Sequence, residues 1–341
     1  MNLSIIVPVY NMVSDGKLVN CLDSLLKQDL TDYEIIAVDD KSTDNSLEVL
    51  FEYRDRYPEK MRVIASPQNG RQGAAKNLGL NVATGKWVGF IDSDDWVTSD
   101  MFSSLINKAD ETGADIVGCD YLITDTIGKE EGLTVQNNTS EQTGLLGDEQ
   151  YKRIILQPGS MVIKIYKRAL FEDHHIRFPE KIFYEDNAVG CLPLLYASRF
   201  ERVERPLYFY YQHNASTVHH VSIAKCEDRI KASEIYLQGL KERGFYEKYK
   251  SEIDYKVYEL GYKNTLFSYM QTSKWPKYSF VASMQRFLKN NVPDYSTNPY
   301  FLEKVDAENQ KLTHMHQKNP LFFICYYLLL RFYRKIRYGK N

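Results

Sequence analysis

Apolar and polar positions alternate in blocks along the first 120 residues. Residues 3–9 are a compact apolar run that includes Pro8, the pattern of a strand buried on both faces. Leu18, Cys21, Leu22, Leu25 and Leu26 follow at i, i+3, i+4, i+7 spacing and predict a helix. Residues 33–38 predict a second strand, stopped by Asp39 and Asp40. Ser42 or Asp44 is then placed to cap a helix carried by Leu47, Val49, Leu50 and Tyr53. A third short strand is expected over 62–65. The Gly-rich turn Asn69-Gly70-Arg71-Gln72-Gly73 opens a helix that ends near Ala83-Thr84-Gly85. A fourth strand over 87–91 runs straight into Asp92-Ser93-Asp94-Asp95, and a helix around 99–112 leads to a fifth strand over 115–119.

Strands alternating with helices imply an α/β fold, a mostly parallel sheet covered on both faces. Ligands of such sheets bind at the carboxyl ends of the strands, where Asp39-Asp40 and Asp92 to Asp95 both fall. Beyond this block the polar stretch 124–150 predicts a loop or partly mobile excursion. From 220 onward Tyr and Leu recur at helical spacing. Length allows two domains, and most of the 26 tyrosines lie past residue 150, which separates the two halves by composition.

A net charge of −2 argues against broad nucleic-acid binding. Cys21, Cys119, Cys191, Cys226 and Cys325 form no CxxC pair, so free thiols in a reducing compartment are expected rather than structural zinc. No basic leader precedes the first apolar run, which points to a cytoplasmic protein. Residues 321–330 are apolar and aromatic, and Arg331, Arg334, Lys335, Arg337 and Lys340 follow. The apolar part is about half of what spans a bilayer. It suits an interfacial helix on the inner face of the cell membrane, or a helix docked on protein.

Carboxylates at alternating positions just past a buried strand can converge on Mg²⁺ or Mn²⁺ and, through the cation, on substrate phosphates. The plainer alternative for Asp92-Ser93-Asp94 is a polar turn capping the next helix. Asp39 can accept hydrogen bonds from a base or ribose, or it can cap a helix. A dinucleotide-binding domain would need GxGxxG after the first strand, whereas this chain has Pro8-Val9-Tyr10-Asn11-Met12.

Four segments in order resemble the family 2 glycosyltransferases of the GT-A fold. They are Ile5-Ile6-Val7-Pro8-Val9-Tyr10-Asn11, then Glu34 to Asp44, then Asn69-Gly70 through Ala75-Lys76-Asn77-Leu78-Gly79, and Phe90-Ile91-Asp92-Ser93-Asp94-Asp95. The resemblance implies a Rossmann-like sheet with a C-terminal helical extension. It divides the chain into a catalytic domain over 1–218 (nucleotide-sugar binding over 1–120, acceptor and catalytic part over 150–218), a helical domain over 219–318 and an amphipathic basic tail over 319–341. Pro8, Val9 and Tyr10 would wall the base, Asp39 would hydrogen-bond it, and Asp92 and Ser93 would face ribose or donor sugar. Asp94 would ligate Mn²⁺ or Mg²⁺. Lys76 stands where the family often has Arg and would reach diphosphate or sugar.

Phe183-Tyr184-Glu185-Asp186 resembles the family's acidic pair, with Asp186 as general base of an inverting transfer and Glu185 beside it. The segment 208–220 resembles one that closes over the donor. It makes His213, Ser216, Thr217 and His219 candidates for phosphate or metal contact, His219 as a metal ligand, although Gln212 replaces a common Arg; the alternative is an edge strand with a solvated turn. Lys164 and Tyr166, with Val162 where Trp is common, read as structural support, with sugar contact as the alternative role. The implied partners are a UDP-sugar, a glycan or lipid-linked acceptor in cell-surface polysaccharide synthesis, and a membrane surface through the tail. No nucleic acid is implied, and a homo-oligomer is left open. The competing readings are a nucleotidyltransferase and a non-catalytic sugar-binding subunit of an assembly complex.

Overall fold

The computed structural model describes residues 1–212 and 221–339. The chain divides into two compact units, Met1–Ser216 and Thr217–Asn341. The first begins β1 (Leu3–Val9), α1 (Lys17–Leu26), β2 (Tyr33–Asp39), α2 (Ser46–Arg56), β3 (Met61–Ala65), α3 (Arg71–Val82), β4 (Trp87–Phe90), β5 (Trp96–Val97), α4 (Met101–Thr112) and β6 (Ile116–Thr124). It continues β7 (Leu133–Val135), β8 (Gly144–Leu145), α5 (Asp148–Leu156), β9 (Lys164–Lys167), α6 (Ala169–Glu172), α7 (Glu185–Val189), α8 (Leu192–Tyr196) and β10 (Arg199–Tyr211).

The strands form one sheet in the order β3-β2-β1-β4-β9-β6-β10-β5, with β7 beside β6 and β8 beside β10. β3, β2, β1 and β4 are parallel neighbours. β9 runs against both β4 and β6, so β4 and β6 share a direction, and β10 joins them in parallel with β6. Every residue of β1 and β2 is buried, which is why both read as mostly apolar runs; inside them Ser4 Oγ donates to Glu34 Oε1 at 2.7 Å. α3 lies hard against β1 because Gly79 has no side chain: a Cβ there would sit 2.5 Å from Cγ2 of Ile6.

Two local expectations change. Asn45 rather than Ser42 or Asp44 is the residue before α2, although Asp44 Oδ1 accepts the amide of Ser46, the first residue of the helix, at 3.0 Å. Ser42 and Asp44 also turn back to the loop after β1, where Ser42 Oγ accepts the Asn11 amide at 3.0 Å and Asp44 Oδ2 accepts that of Val13 at 3.2 Å. The 124–150 excursion is built rather than loose. Asn137, Asn138 and Gln142 are buried in it, and the Gln142 side-chain amide donates to Gln157 O at 2.6 Å. Long-range side-chain bonds of this kind leave no periodic trace in a polar sequence.

The second unit is helical: α9 (Ile223–Glu242), α10 (Lys250–Val257), a π-helical stretch Tyr258–Lys263, α11 (Asn264–Thr272), α12 (Tyr278–Asn291), α13 (Pro299–Lys304), α14 (Ala307–Lys318) and α15 (Pro320–Tyr338). Tyr258 and Tyr262 are core residues whose polar ends find partners. Tyr258 OH meets Thr313 Oγ1 at 3.0 Å, and Tyr262 OH meets His316 Nδ1 at 2.7 Å. The other ring nitrogen of His316 lies 2.9 Å from Val281 O. A carbonyl only accepts, so Nε2 carries the proton and Nδ1 accepts from Tyr262. The tail does not stand apart, because Phe323, Ile324 and Tyr327 of α15 are buried within this unit. No helix among the described residues is long and apolar enough to cross a membrane.

Candidate active site

Parallel register brings the acidic turns together. Val9 of β1 pairs with Asp39 of β2, and Ile6 pairs with Phe90 of β4, so both acidic turns leave the sheet on the side where the chain exits β1. Asp39 is buried. Its Oδ2 accepts the Ser42 amide at 3.1 Å, while Oδ1 has no hydrogen-bond partner within the protein. Val9 is buried beside it, Pro8 lies in the same buried strand, and Tyr10 is exposed at the rim. Asp40 Oδ1 accepts the Gly70 amide at 2.8 Å, which ties the mouth of β2 to the start of α3.

α3 carries its polar residues inward. Lys76 is buried, and its Nζ lies 2.7 Å from Glu185 Oε1. Burial alone would lower the lysine's pKa, but Glu185, Asp92 and Asp186 together hold it above its ordinary value. The next residue, Asn77, forms a two-way clasp with Phe178, accepting its amide and donating to its carbonyl, both at 2.9 Å. Gly73 makes that approach feasible, since a Cβ there would fall 2.1 Å from Pro179 O. The Gly-rich start of α3 is thus a docking surface for the segment that leads to Glu185 and Asp186. Arg71 adds to it with its guanidinium 3.8 Å from the centre of the Phe183 ring.

The acidic turn after β4 is anchored by its fourth residue. Asp95 is buried, accepting from Tyr208 OH at 2.5 Å and from the Tyr211 amide at 2.8 Å. Ser93 is buried too. Asp92 Oδ1 is shielded from water yet has no partner within the protein. Burial raises the pKa of Asp92 to about 7; Lys76 opposes that rise, and the charges of Asp94, Glu185 and Asp186 add to it. Asp186 opens to solvent at the start of α7, where its Oδ1 accepts the Asn187 amide at 2.8 Å. Confinement by the surrounding protein, and then Glu185, raise its pKa, with Lys76 pulling the other way.

The structure therefore gathers Lys76, Asp92, Asp94, Glu185 and Asp186 into one electrostatic cluster, with Asp39 at the end of β2 on the other side of β1. Within it Glu185 is buried against Lys76, each offsetting the other's desolvation cost, and Lys76 Nζ points at Glu185. His213, Ser216, Thr217 and His219 lie outside the described residues. Lys164 and Tyr166 are buried, and Lys164 Nζ donates to Ser160 O at 2.5 Å. The segment over 208–211 is no edge strand, since β10 lies between β6 and β5. Asp95 and Tyr208 went unrecognised as a pair; at 113 residues apart, no local spacing signals it.

The family model described as Glycosyl transferase family 2 matches residues 4–174.

The chain belongs to glycosyl transferase family 2.

The stretch matching that family holds Asp39, Lys76, Asp92 and Asp94, and ends before Glu185 and Asp186. Among its relatives, the uncharacterized glycosyltransferase YibD of Escherichia coli (strain K12) is 33% identical over 221 residues, 63% of this chain and 62% of that one. The poly(ribitol-phosphate) beta-glucosyltransferase of Bacillus spizizenii (strain ATCC 23059 / NRRL B-14472 / W23) is 31% identical over 216 residues, 62% of this chain. The chain spans about three fifths of the first relative's length, and 32% of the second's. The crystal structure of S. aureus TarS 1-349 superposes with a TM-score of 0.68 at 22% identity, covering 93% of this chain and 90% of that one, and shares the GT-A fold. A complex of that same protein with UDP-GlcNAc superposes with a TM-score of 0.67.

Proposed function

We propose that this family 2 chain is an inverting glycosyltransferase. In this reading it moves a sugar from a UDP-sugar to a glycan or lipid-linked acceptor, on the cytoplasmic side, during cell-surface polysaccharide synthesis. One observation carries the reading: three shielded carboxylate oxygens, on Asp39, Asp40 and Asp92, lack protein partners at or just past the ends of β2 and β4, the strands on either side of β1, with a raised-pKa Asp186 in the same charge cluster as Asp92. Buried acceptors left unpaired call for a donor from a ligand. The chain's relatives support the direction, since one is a poly(ribitol-phosphate) beta-glucosyltransferase and TarS binds UDP-GlcNAc.

In this mechanism Pro8, Val9 and Tyr10 flank the uracil, and Asp39 Oδ1 accepts its imide N–H. Asp92 and Ser93 meet the ribose or the donor sugar. No group of three or more His, Cys, Asp or Glu among the described residues forms a ready metal cage. The residues present nevertheless fit Mn²⁺ or Mg²⁺, which is commonly held by one or two carboxylates plus substrate phosphates. Asp94, with Asp92 at hand and His219 as the expected further ligand, would hold it, and it would supply charge for the departing diphosphate. Asp186 accepts the proton of the acceptor hydroxyl as that oxygen bonds to the anomeric carbon and the bond to UDP breaks. A pKa above the usual carboxylate range makes it a better proton acceptor. Glu185 and Lys76 keep the site's charge balanced and Asp186 in position.

UDP release from a panel of UDP-sugars, with and without Mn²⁺, tests the reading. Turnover that needs the metal and is lost in Asp186→Asn, with donor binding kept, supports it. Absence of UDP release with every donor and acceptor, from protein that binds none of them, overturns it.

A further inference from the structure

Beyond the transferase site, the second unit presents an unusual surface around α15. The inner side of this helix is buried, yet Phe322, Cys325, Leu329, Phe332 and Ile336 form a second apolar stripe at helical spacing on its outer side. Ile336 is 70% exposed. Lys335 and Arg337 border that stripe on its two sides.

A second element is fastened beside it. Nη1 of Arg331 donates to Met270 O at 2.9 Å, Gln271 O at 3.1 Å and Ser273 O at 2.8 Å, plugging the carbonyl end of α11. The chain then runs at once into Lys274-Trp275-Pro276-Lys277-Tyr278. Trp275 is 79% exposed there, and the Lys277 amide is pinned to Tyr269 OH at 2.8 Å. An indole held out into water on a fastened loop needs a reason.

We infer that the outer stripe of α15 and the Trp275 loop together form a docking surface for an anionic lipid bilayer. The charge pattern selects that occupant. Residues 273–278 and 320–341 together contain seven Lys and Arg and no Asp or Glu. Of these, Arg334 is matched by Glu308. A self-complementary contact with a second copy would oppose like charges across its axis, whereas anionic headgroups neutralise them. Exposed Trp, Tyr, Leu and Phe bordered by Lys and Arg is also the composition of an interfacial helix. The surface lies on the membrane plane rather than across it, as the absence of any spanning helix among the described residues requires.

Trp275 supplies its own reporter, since Trp87 and Trp96 are buried. The full chain is mixed with vesicles of phosphatidylcholine, alone or with phosphatidylglycerol. The expected result is a blue shift of tryptophan emission and co-sedimentation with the anionic vesicles only, both weakened by salt. Lys335→Glu/Arg337→Glu should weaken binding more than about tenfold, and Leu329→Ser/Ile336→Ser should do the same. All four side chains are exposed, so both variants should melt like the parent. Unshifted emission with anionic vesicles overturns the inference, as does binding that both double variants leave intact. A vesicle-free dimer dispersed by Leu329→Ser/Ile336→Ser would instead assign the surface to a second copy.

Discussion

Asp92 offers a measurement that separates a ligand-binding carboxylate from an ordinary helix cap. Its carboxyl ionises near pH 7 in the folded chain against a reference of 3.8. The folded state therefore holds a proton that the unfolded chain has already lost, so Asp92 erodes stability as pH climbs between those two values. At about 1.36 kcal/mol per pH unit the full penalty at pH 8 is about 4 kcal/mol. Asp92 is partly open to solvent, and water and local relaxation reduce this to about 2 kcal/mol. Asn removes the titration while nearly keeping the shape. In EDTA, Asp92→Asn should melt with the parent at pH 4 and above it at pH 8. The gain for the first unit is about 4–8 °C, at about 2–4 °C per kcal/mol for a unit of this size. The same substitution should abolish donor binding, because a site that needs the carboxylate gives up stability to keep it. A melting difference independent of pH, or a variant less stable than the parent at pH 8, would refute the electrostatic reasoning.

Glu185→Gln should cost about 3–5 kcal/mol by leaving Lys76 buried and unpaired, and Lys76→Met/Glu185→Leu should recover most of that loss in thermal denaturation. Gly73→Ala forces a methyl into Pro179 O, so it should destabilise the first unit by about 2–3 kcal/mol and lower kcat by displacing Asp186. His316 is buried with its pKa lowered to about 4. Stability of the second unit is thus full above pH 6.5 and falls by about 2–3 kcal/mol as pH drops towards 4, and His316→Gln should flatten that slope in acid denaturation. Because the pKa of Asp186 is raised, the acid limb of kcat should lie above the ordinary carboxylate range, and Asp186→Glu should move it.

The order of elements was legible in the sequence wherever burial imposes a period. β1 and β2 are sealed on both faces, so most positions had to be apolar, with Ser4 and Glu34 bonded to each other, and α1 displays one buried stripe. The acidic turns were legible because polar residues directly after such strands have nowhere else to face. Residues 69–79 were recognised as a motif, but their physical task was not. Gly73 and Gly79 are required by atoms of Pro179 and Ile6, and Asn77 by the backbone of Phe178.

What only the tertiary structure decided are the pairings across long separations. Lys76 meets Glu185 across 109 residues, and Asp95 meets Tyr208 across 113. The sequence by itself determined where carboxylates accumulate, since hydrophobic periodicity is a local consequence of burial. Which carboxylate is neutralised by a lysine, which is clamped by a tyrosine, and which, like Asp39 and Asp92, keeps an oxygen without a protein partner depends on packing. Neighbours distant along the chain set a group's desolvation and charge environment, and those neighbours exist only once the chain has folded.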